Sequence, residues 1–278
     1  MENITVGLDD EDASQTAVDW VIDRARTKRL RVRLVTAFDM LASNPMAAQQ
    51  LLALTRRRIL DAASGTVVET VLADRSIMEE LIEQSASADL LVIGSHPHHR
   101  IRSALTGSFP VGLAARSHCA IVIIPDDWTD QNGAIVVGVA ADHSSDAAAM
   151  FAAAEAVEQN RVLEVVHAWE PWKAPWTGRT KIDRAGILEA AIDRITAVHP
   201  SVQARGILVE ADPSDGIVTS TRTAHLVVLG THRLGAVTGL LLGSTGQRVM
   251  HRAGVALCIV PLVDATTRPD PVLANAVP

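Results

Sequence analysis

The chain has 278 residues and a formal net charge of −7, and 48% of its residues are hydrophobic. The length favours two domains over one, and the mildly acidic balance argues against a duplex nucleic-acid binder and against a polybasic membrane surface. The N-terminus lacks the basic start and apolar core of a signal peptide, and no apolar run approaches the roughly 20 residues that span a bilayer. We therefore expect a soluble, cytoplasmic protein.

The first half alternates strand and helix patterns in chain order. ITVGLDD predicts a first strand and an Asp/Ser-rich turn, and Ser14 is the expected N-cap of the helix that follows. RVRLVTAF predicts the second strand, NPMAAQQLLALTRRRILDAASG a helix, VVETVLA the third strand and SIMEELIEQSAS another helix. The fourth strand ends at Gly94, a helix begins at the Gly107–Ser108 pair, and IVIIP predicts the fifth strand.

The second half repeats this pattern. ADLLVIGSHPHHRIRSALTGS in the first half corresponds to AHLVVLGTHRLGAVTGLLLGS in the second, and IVIIP corresponds to LCIVP. Gly94 and Gly230 are 136 positions apart, and the two Gly–Ser pairs and the two closing prolines keep the same displacement. Spacing that is preserved at three landmarks indicates a duplication.

The repeated unit predicts an α/β fold. Each unit reads β-α-β-α-β-α-β-α-β, which is typical of a Rossmann-like parallel sheet with helices on both faces and right-handed crossovers. We expect two tandem five-stranded units, domain 1 over residues 1–128 and domain 2 over 133–264, followed by a C-terminal tail over 265–278. Cys119 and Cys258 are expected to be buried small side chains, because no Cys/His spacing resembles a metal site.

Ligands of an open parallel sheet bind at the carboxyl ends of the strands, where the strand order reverses. The turn after the first strand, with Asp9, and the loop from Gly94 to Ser108 both fall there. We expect Gly94 to let the chain turn without a Cβ. Gly107 and Ser108 begin a helix whose free N–H groups suit a phosphate. The loop is not a Walker motif, because no Gly-Lys-Ser/Thr follows.

The loop after the fourth strand of the first half, SHPHHRIR, is basic in an otherwise acidic chain. His96 and its neighbours suit an anionic ligand, whereas such closely spaced histidines converge poorly on a metal ion. We expect no metal site beyond Mg²⁺ accompanying a nucleotide. No catalytic triad, acid–base pair or nucleophile elbow is evident, so we expect no enzyme activity beyond slow ATP hydrolysis.

Taken together, strand–VGLDD, the glycine loop ending in Gly–Ser and the closing IVIIP resemble the universal stress protein family of the tandem bacterial type. The resemblance covers both halves and implies an adenine nucleotide alpha hydrolase-like fold in an ATP-binding stress-response regulator or sensor. The family pattern is G-x-x-G-x9-G-[S/T], with an Asp at the end of the first strand that contacts adenine. The candidate nucleotide-binding residues are Asp9, Gly94, His96, Gly107, Ser108 and Phe109 in the first half, and Gly230, Arg233, Gly243, Ser244 and Thr245 in the second.

The chain departs from the family pattern at three positions. Pro97 replaces the middle glycine of the first loop and removes a backbone N–H. Arg233 replaces the middle glycine of the second loop, where its guanidinium is suited to a charged phosphate contact. Ala140 stands in place of the strand-end Asp, with Asp142 two residues later. The first half is therefore the better nucleotide candidate. The alternative is a non-nucleotide member of the fold that acts as an interaction module or binds another small anion.

Family members pair through their fifth strands, and IVIIP and LCIVP are apolar edges that need covering. We expect the two halves to pair with each other as an intramolecular pseudo-dimer. Pairing of two chains into a homodimer is a further expectation.

Overall fold

The computed structural model describes residues 1–9, 12–37, 45–95, 108–142, 144–170, 181–233, 240–241, 244–252 and 254–262. The first half contains β1 (Glu2–Gly7), α1 (Asp12–Arg24), β2 (Leu30–Ala37), α2 (Pro45–Ala62), β3 (Val67–Ala73), α3 (Ile77–Ser85), β4 (Leu90–Ser95), α4 (Ser108–Ala114) and β5 (Ala120–Pro125). The second half contains β6 (Ile135–Gly138), α5 (Asp146–Glu158), β7 (Leu163–Trp169), α6 (Lys181–Val198), β8 (Ala204–Glu210), α7 (Pro213–Ser220), β9 (Leu226–Gly230), β10 (His232–Arg233), β11 (Leu240–Leu241), α8 (Ser244–Arg252) and β12 (Ala256–Val260).

Ten of the strands form one continuous sheet, in the order β3-β2-β1-β4-β5-β12-β9-β6-β7-β8. Within each half the neighbouring strands are parallel. The halves meet where β5 pairs antiparallel with β12, with Cys258 opposite Val122. The prediction of two five-stranded parallel units that pair through their fifth strands is confirmed. The short strands β10 and β11 form a separate antiparallel pair.

Helices cover both faces of the sheet, as predicted. One core cluster lies under α1, α2, α5 and α6 and includes Val18, Leu52, Ala152 and Ile195. The other lies under α3, α4, α7 and α8 and includes Leu81, Leu113, Ile217 and Val249. Strands such as β5 are buried along their whole length, because helices exclude water from both sides. This explains why they read as unbroken Val/Ile runs instead of alternating apolar and polar residues.

A buried ion cluster joins the halves, in addition to the strand pairing. Arg24 of α1 donates two hydrogen bonds of 2.6 Å to the carboxylate of Glu155 in α5 and two of 2.7 Å to that of Glu2. The side chains of Arg24 and Glu155 are 4% and 5% exposed. Lys28 adds a contact of 3.1 Å to Glu155. Burial opposes the charge on Glu155, but the hydrogen bonds and positive charge of Arg24 and Lys28 prevail and lower its pKa to about 2.

Three features of the described residues bear on function. None of the helices in the described ranges is long and apolar enough to cross a membrane. In the same part of the chain, no group of three or more His, Cys, Asp or Glu side chains is placed to hold a metal ion. Cys119 and Cys258 are both buried and free, and burial raises the pKa of the Cys119 thiol to about 11.

Candidate functional site

The strand order of the first half reverses between β1 and β4. From β1 the chain moves outward to β2 and β3, then returns to place β4 on the other side of β1. Gly7 of β1 pairs with Ile93 of β4, so Asp9 and Gly94 both follow closely at the same carboxyl edge. This is the position at which open α/β sheets bind ligands.

Asp9 is held in place by a serine of the first helix. The Ser14 hydroxyl accepts a hydrogen bond of 3.0 Å from the Asp9 N–H and donates one of 2.5 Å to Asp9 Oδ1. Ser14 is fully buried, which fixes the carboxylate relative to the start of α1. The prediction that Ser14 caps this helix is wrong. Because α1 already begins at Asp12, the Ser14 hydroxyl is available to the preceding turn.

Gly94 allows α1 to pack closely on β4, and the expectation that it provides a turn is wrong. It lies within β4, and its φ is outside the left-handed region that favours glycine. A Cβ at this position would stand 2.3 Å from the carbonyl carbon and oxygen of Ala13 and 2.7 Å from the Ser14 nitrogen. The absence of a side chain therefore allows the first turn of α1 to lie directly on the strand that leads into the glycine loop.

The second half repeats this arrangement without the carboxylate. The Ser145 hydroxyl accepts a hydrogen bond of 3.0 Å from the N–H of Ala140, as Ser14 does from Asp9. Ser145 occupies the N-cap position of α5, but its side chain makes no capping hydrogen bond. Asp142 does not take the place of Asp9, because it is exposed and accepts hydrogen bonds from the N–H (3.2 Å) and hydroxyl (2.6 Å) of Ser144.

Only some of the other predicted site residues lie within the described part of the chain. His96, Pro97, Gly107 and Gly243 lie outside the described residues. The backbone places Ser108 and Ser244 at the first positions of α4 and α8, and Arg233 in β10. Thr245 is half-buried in α8. Phe109 is buried in the core cluster with Leu113 and Leu81, so much of its side chain is committed to packing.

Sequence reasoning missed a difference between the halves at the end of the second strand. In the first half, the buried Thr36 hydroxyl donates a hydrogen bond of 2.9 Å to the carbonyl of Leu8. The corresponding residue of β7 is His167, whose Nδ1 donates to the carbonyl of Val139 at 2.9 Å. Burial lowers the pKa of His167, so the ring is neutral at pH 7. The difference is visible in the sequence, because Thr36 aligns with His167 when LVTAF (34–38) is set against VVHAW (165–169).

Comparison with known proteins identifies the family to which this tandem architecture belongs. The sequence model of the Universal stress protein family matches residues 1–125 and again residues 132–261. The chain belongs to the universal stress protein family. The resemblance inferred from the glycine loops is therefore confirmed across both halves.

Other universal stress proteins resemble this chain over nearly its whole length. Universal stress protein Rv2623 of Mycobacterium tuberculosis is 27% identical over 276 residues, which cover 90% of this chain and 93% of the relative. Universal stress protein Rv2005c of the same species is 27% identical over 283 residues, with 92% and 96% coverage. The crystal structure of a universal stress protein from Archaeoglobus fulgidus superposes with a TM-score of 0.72 at 16% identity, covering 93% of this chain and 98% of that one. The tandem fold is thus shared with other universal stress proteins.

Proposed function

We propose that this universal stress protein binds an adenine nucleotide in its first half and acts as a cytoplasmic stress-response regulator or sensor. The observation that carries the proposal is the convergence of Asp9 and Gly94 at the point where the strand order reverses. The Asp9 carboxylate provides acceptors for the adenine amino group or for a ribose hydroxyl. The backbone N–H groups after Gly107 provide donors for phosphate, and Mg²⁺ enters only with the nucleotide.

Ser14 prepares the first site for this role. Since Ser14 is fully buried and bonded to both the N–H and the carboxylate of Asp9, the carboxylate is oriented before a ligand arrives. Preorganisation of this kind lowers the entropic cost of binding. The second half has the same serine but not the carboxylate, so we expect one nucleotide per chain, with weaker or no binding in the second half.

Isothermal titration calorimetry with ATP and Mg²⁺ tests the proposal. We expect one site per chain in the wild type and a loss of affinity of about tenfold or more in Asp9→Ala, the scale of hydrogen bonds to a charged group. Asp142→Ala is the matched control, because it removes a carboxylate from the equivalent turn of the second half and should leave binding unchanged. Absence of binding at millimolar ATP, or equal affinity in the wild type and Asp9→Ala, would refute the assignment.

The alternative function is that of an interaction module or of a receptor for another small anion. It is favoured by the loss of the strand-end carboxylate at Ala140 and of the middle glycines at Pro97 and Arg233. Native mass spectrometry of the purified protein separates the two functions. A bound or added nucleotide on the chain supports the first function, and a different small anion retained in its place supports the second.

A further inference from the structure

Three side chains near the carboxyl end of β7 hold polar atoms that are buried without a hydrogen-bond partner. The atoms are His167 Nε2, Trp169 Nε1 and Arg184 Nε. His167 and Trp169 are only 4% and 8% exposed. Native proteins pair nearly all buried polar atoms, because an unpaired one lowers stability. Among the described residues, the first half has no unpaired buried side-chain nitrogen or oxygen, so the feature belongs to the second half.

The three residues lie close to one another. His167 and Trp169 are two positions apart on β7, so their side chains are on the same face of the sheet. Val165 on that face belongs to the core under α5 and α6. Arg184, in the first turn of α6, places its guanidinium carbon 5.9 Å from the centre of the Trp169 ring. Burial and the nearby charge of Arg184 lower the pKa of His167. Arg184 is half-buried, so solvent reaches the cluster from its side.

The fold does not need polar nitrogens at these positions. Helices α2 and α6 are both 18 residues long and begin 136 positions apart, which aligns Arg184 with an alanine. The first-half counterparts of the three residues are Thr36, Phe38 and Ala48. Phenylalanine and alanine have no polar side-chain atom, and the Thr36 hydroxyl is paired with the Leu8 carbonyl. The second half therefore carries three additional polar groups that the same architecture does without.

The hydrogen-bonding roles of these groups define the ligand that fits them. Because a carbonyl can only accept, Nδ1 of the neutral His167 ring donates to Val139, and Nε2 is left as an acceptor. Trp169 Nε1 is a donor, and Arg184 is a charged donor. The ligand must therefore present a hydrogen-bond donor beside an anionic group. A hydroxyl suits His167 better than an ammonium, which the charge of Arg184 would repel.

We propose that the carboxyl end of β7 binds a small hydroxylated organic anion, either a carboxylate or a phosphate ester. Its hydroxyl donates to His167 Nε2, and its anionic oxygens accept from Trp169 Nε1 and from Arg184. The positive end of the α6 helix dipole adds to the attraction. This site is separate from the nucleotide site proposed for the first half and does not depend on it.

Calorimetric titration of the full chain with D-glycerate and with glycerol 3-phosphate tests the proposal and separates the two kinds of anion. Propionate, which lacks the hydroxyls, and glycerol, which lacks the anionic group, are the reference compounds. We expect one of the two anions to bind with a dissociation constant in the millimolar range or tighter. Both reference compounds should bind at least about tenfold more weakly. In protein labelled with [15N]tryptophan, the indole resonance that is absent from Trp169→Phe should shift on titration.

The first-half residues supply matched variants. His167→Thr keeps a donor for the backbone carbonyl but has no ring acceptor, and Trp169→Phe keeps an aromatic ring without the N–H. Each should weaken anion binding about fivefold, and Arg184→Ala about tenfold or more, because it removes a charged donor. Arg194→Ala is the control, since it removes the same charge ten residues further along α6, where Arg194 pairs with Asp146 at 3.1 Å. It should bind the anion like the wild type, and circular dichroism verifies that each variant is folded.

Three results would overturn the proposal. The first is that neither anion binds at about 10 mM, a concentration at which millimolar affinity is readily detected. The second is binding that none of the three variants weakens. The third is displacement of the anion by ATP in Asp9→Ala, which would assign the site to the nucleotide. Anion binding that persists in Asp9→Ala without competition from ATP supports a separate site in the second half.

Discussion

The buried ion cluster between the halves makes a quantitative prediction about stability. Replacing Arg24 with Met removes the four hydrogen bonds that its guanidinium donates to the carboxylates of Glu155 and Glu2. Among the described residues, Glu155 then keeps only the weaker contacts with Lys28 at 3.1 Å and Gln159 at 2.7 Å. Because the side chain of Glu155 is only 5% exposed, water cannot compensate for the lost charge. We expect Arg24→Met to lower the free energy of unfolding by about 3–5 kcal/mol, the usual cost of breaking a buried ion pair from one side.

The pKa of Glu155 gives an independent magnitude. Its pKa falls from 4.5 to about 2 in the folded protein, a difference that corresponds to about 3 kcal/mol at neutral pH. Since the folded pKa is the lower one, this stabilisation is present above pH 4.5 and is lost as the pH falls toward 2. The stability advantage of the wild type over Glu155→Gln should therefore shrink by about 2 kcal/mol between pH 7 and pH 3.

Urea denaturation followed by circular dichroism measures these differences. Arg26→Met is the matched control, because Arg26 pairs with Asp23 at 2.9 Å but has a side chain that is 73% exposed. Its cost should stay below about 1 kcal/mol. The double variant Arg24→Met/Glu155→Met should recover about 2 kcal/mol or more relative to Arg24→Met, because the buried carboxylate that lost its guanidinium partner is then also removed. An Arg24→Met cost no greater than that of Arg26→Met would show that the cluster does not stabilise the junction.

Two further predictions concern the glycines and the cysteines. Gly94→Ala should lower the free energy of unfolding by about 3 kcal/mol or more, since the new Cβ would stand 2.3 Å from the Ala13 backbone. Gly230→Ala should cost only about 1 kcal/mol, because the nearest atom to its Cβ would be 3.1 Å away. Equal melting temperatures for the two variants would contradict this prediction. Cys119 and Cys258 are buried, and burial raises the pKa of both thiols, so a thiol reagent at pH 8 should modify them only after denaturant is added. Fast reaction of the native protein with the thiol reagent would show that the two cysteines are accessible.

Much of the fold follows from local sequence patterns. Val/Ile runs such as β4 and β5 mark strands that are buried on both sides, and the intervening amphipathic stretches mark the covering helices. The preserved displacement between Gly94 and Gly230 identifies the duplication. These signals lie within single elements or depend only on spacing, so they are visible without coordinates. Asp9 and the glycine loop could also be placed at one edge of the sheet from the sequence. Both follow parallel strands, and the carboxyl ends of parallel strands lie at the same edge.

The roles of individual residues within the site depended on contacts between distant parts of the chain. Gly94 is needed because Ala13, 81 positions earlier, lies against it, and Ser14 binds Asp9 because α1 begins two residues before it. A glycine or serine in a sequence does not by itself show which backbone segment will pack against it. Local statistics therefore favoured a turn and a cap, which are the commonest uses of those residue types.

The sequence by itself determined that this protein is two copies of one α/β unit, and that only the first copy keeps the strand-end carboxylate. The tertiary structure decided how the copies join, through β5 against β12 and through Arg24 against Glu155. It also decided which helices cover each side of the sheet. Periodicity and motif spacing are local properties of the chain, whereas an ion pair across 131 positions forms only after both halves have folded and packed.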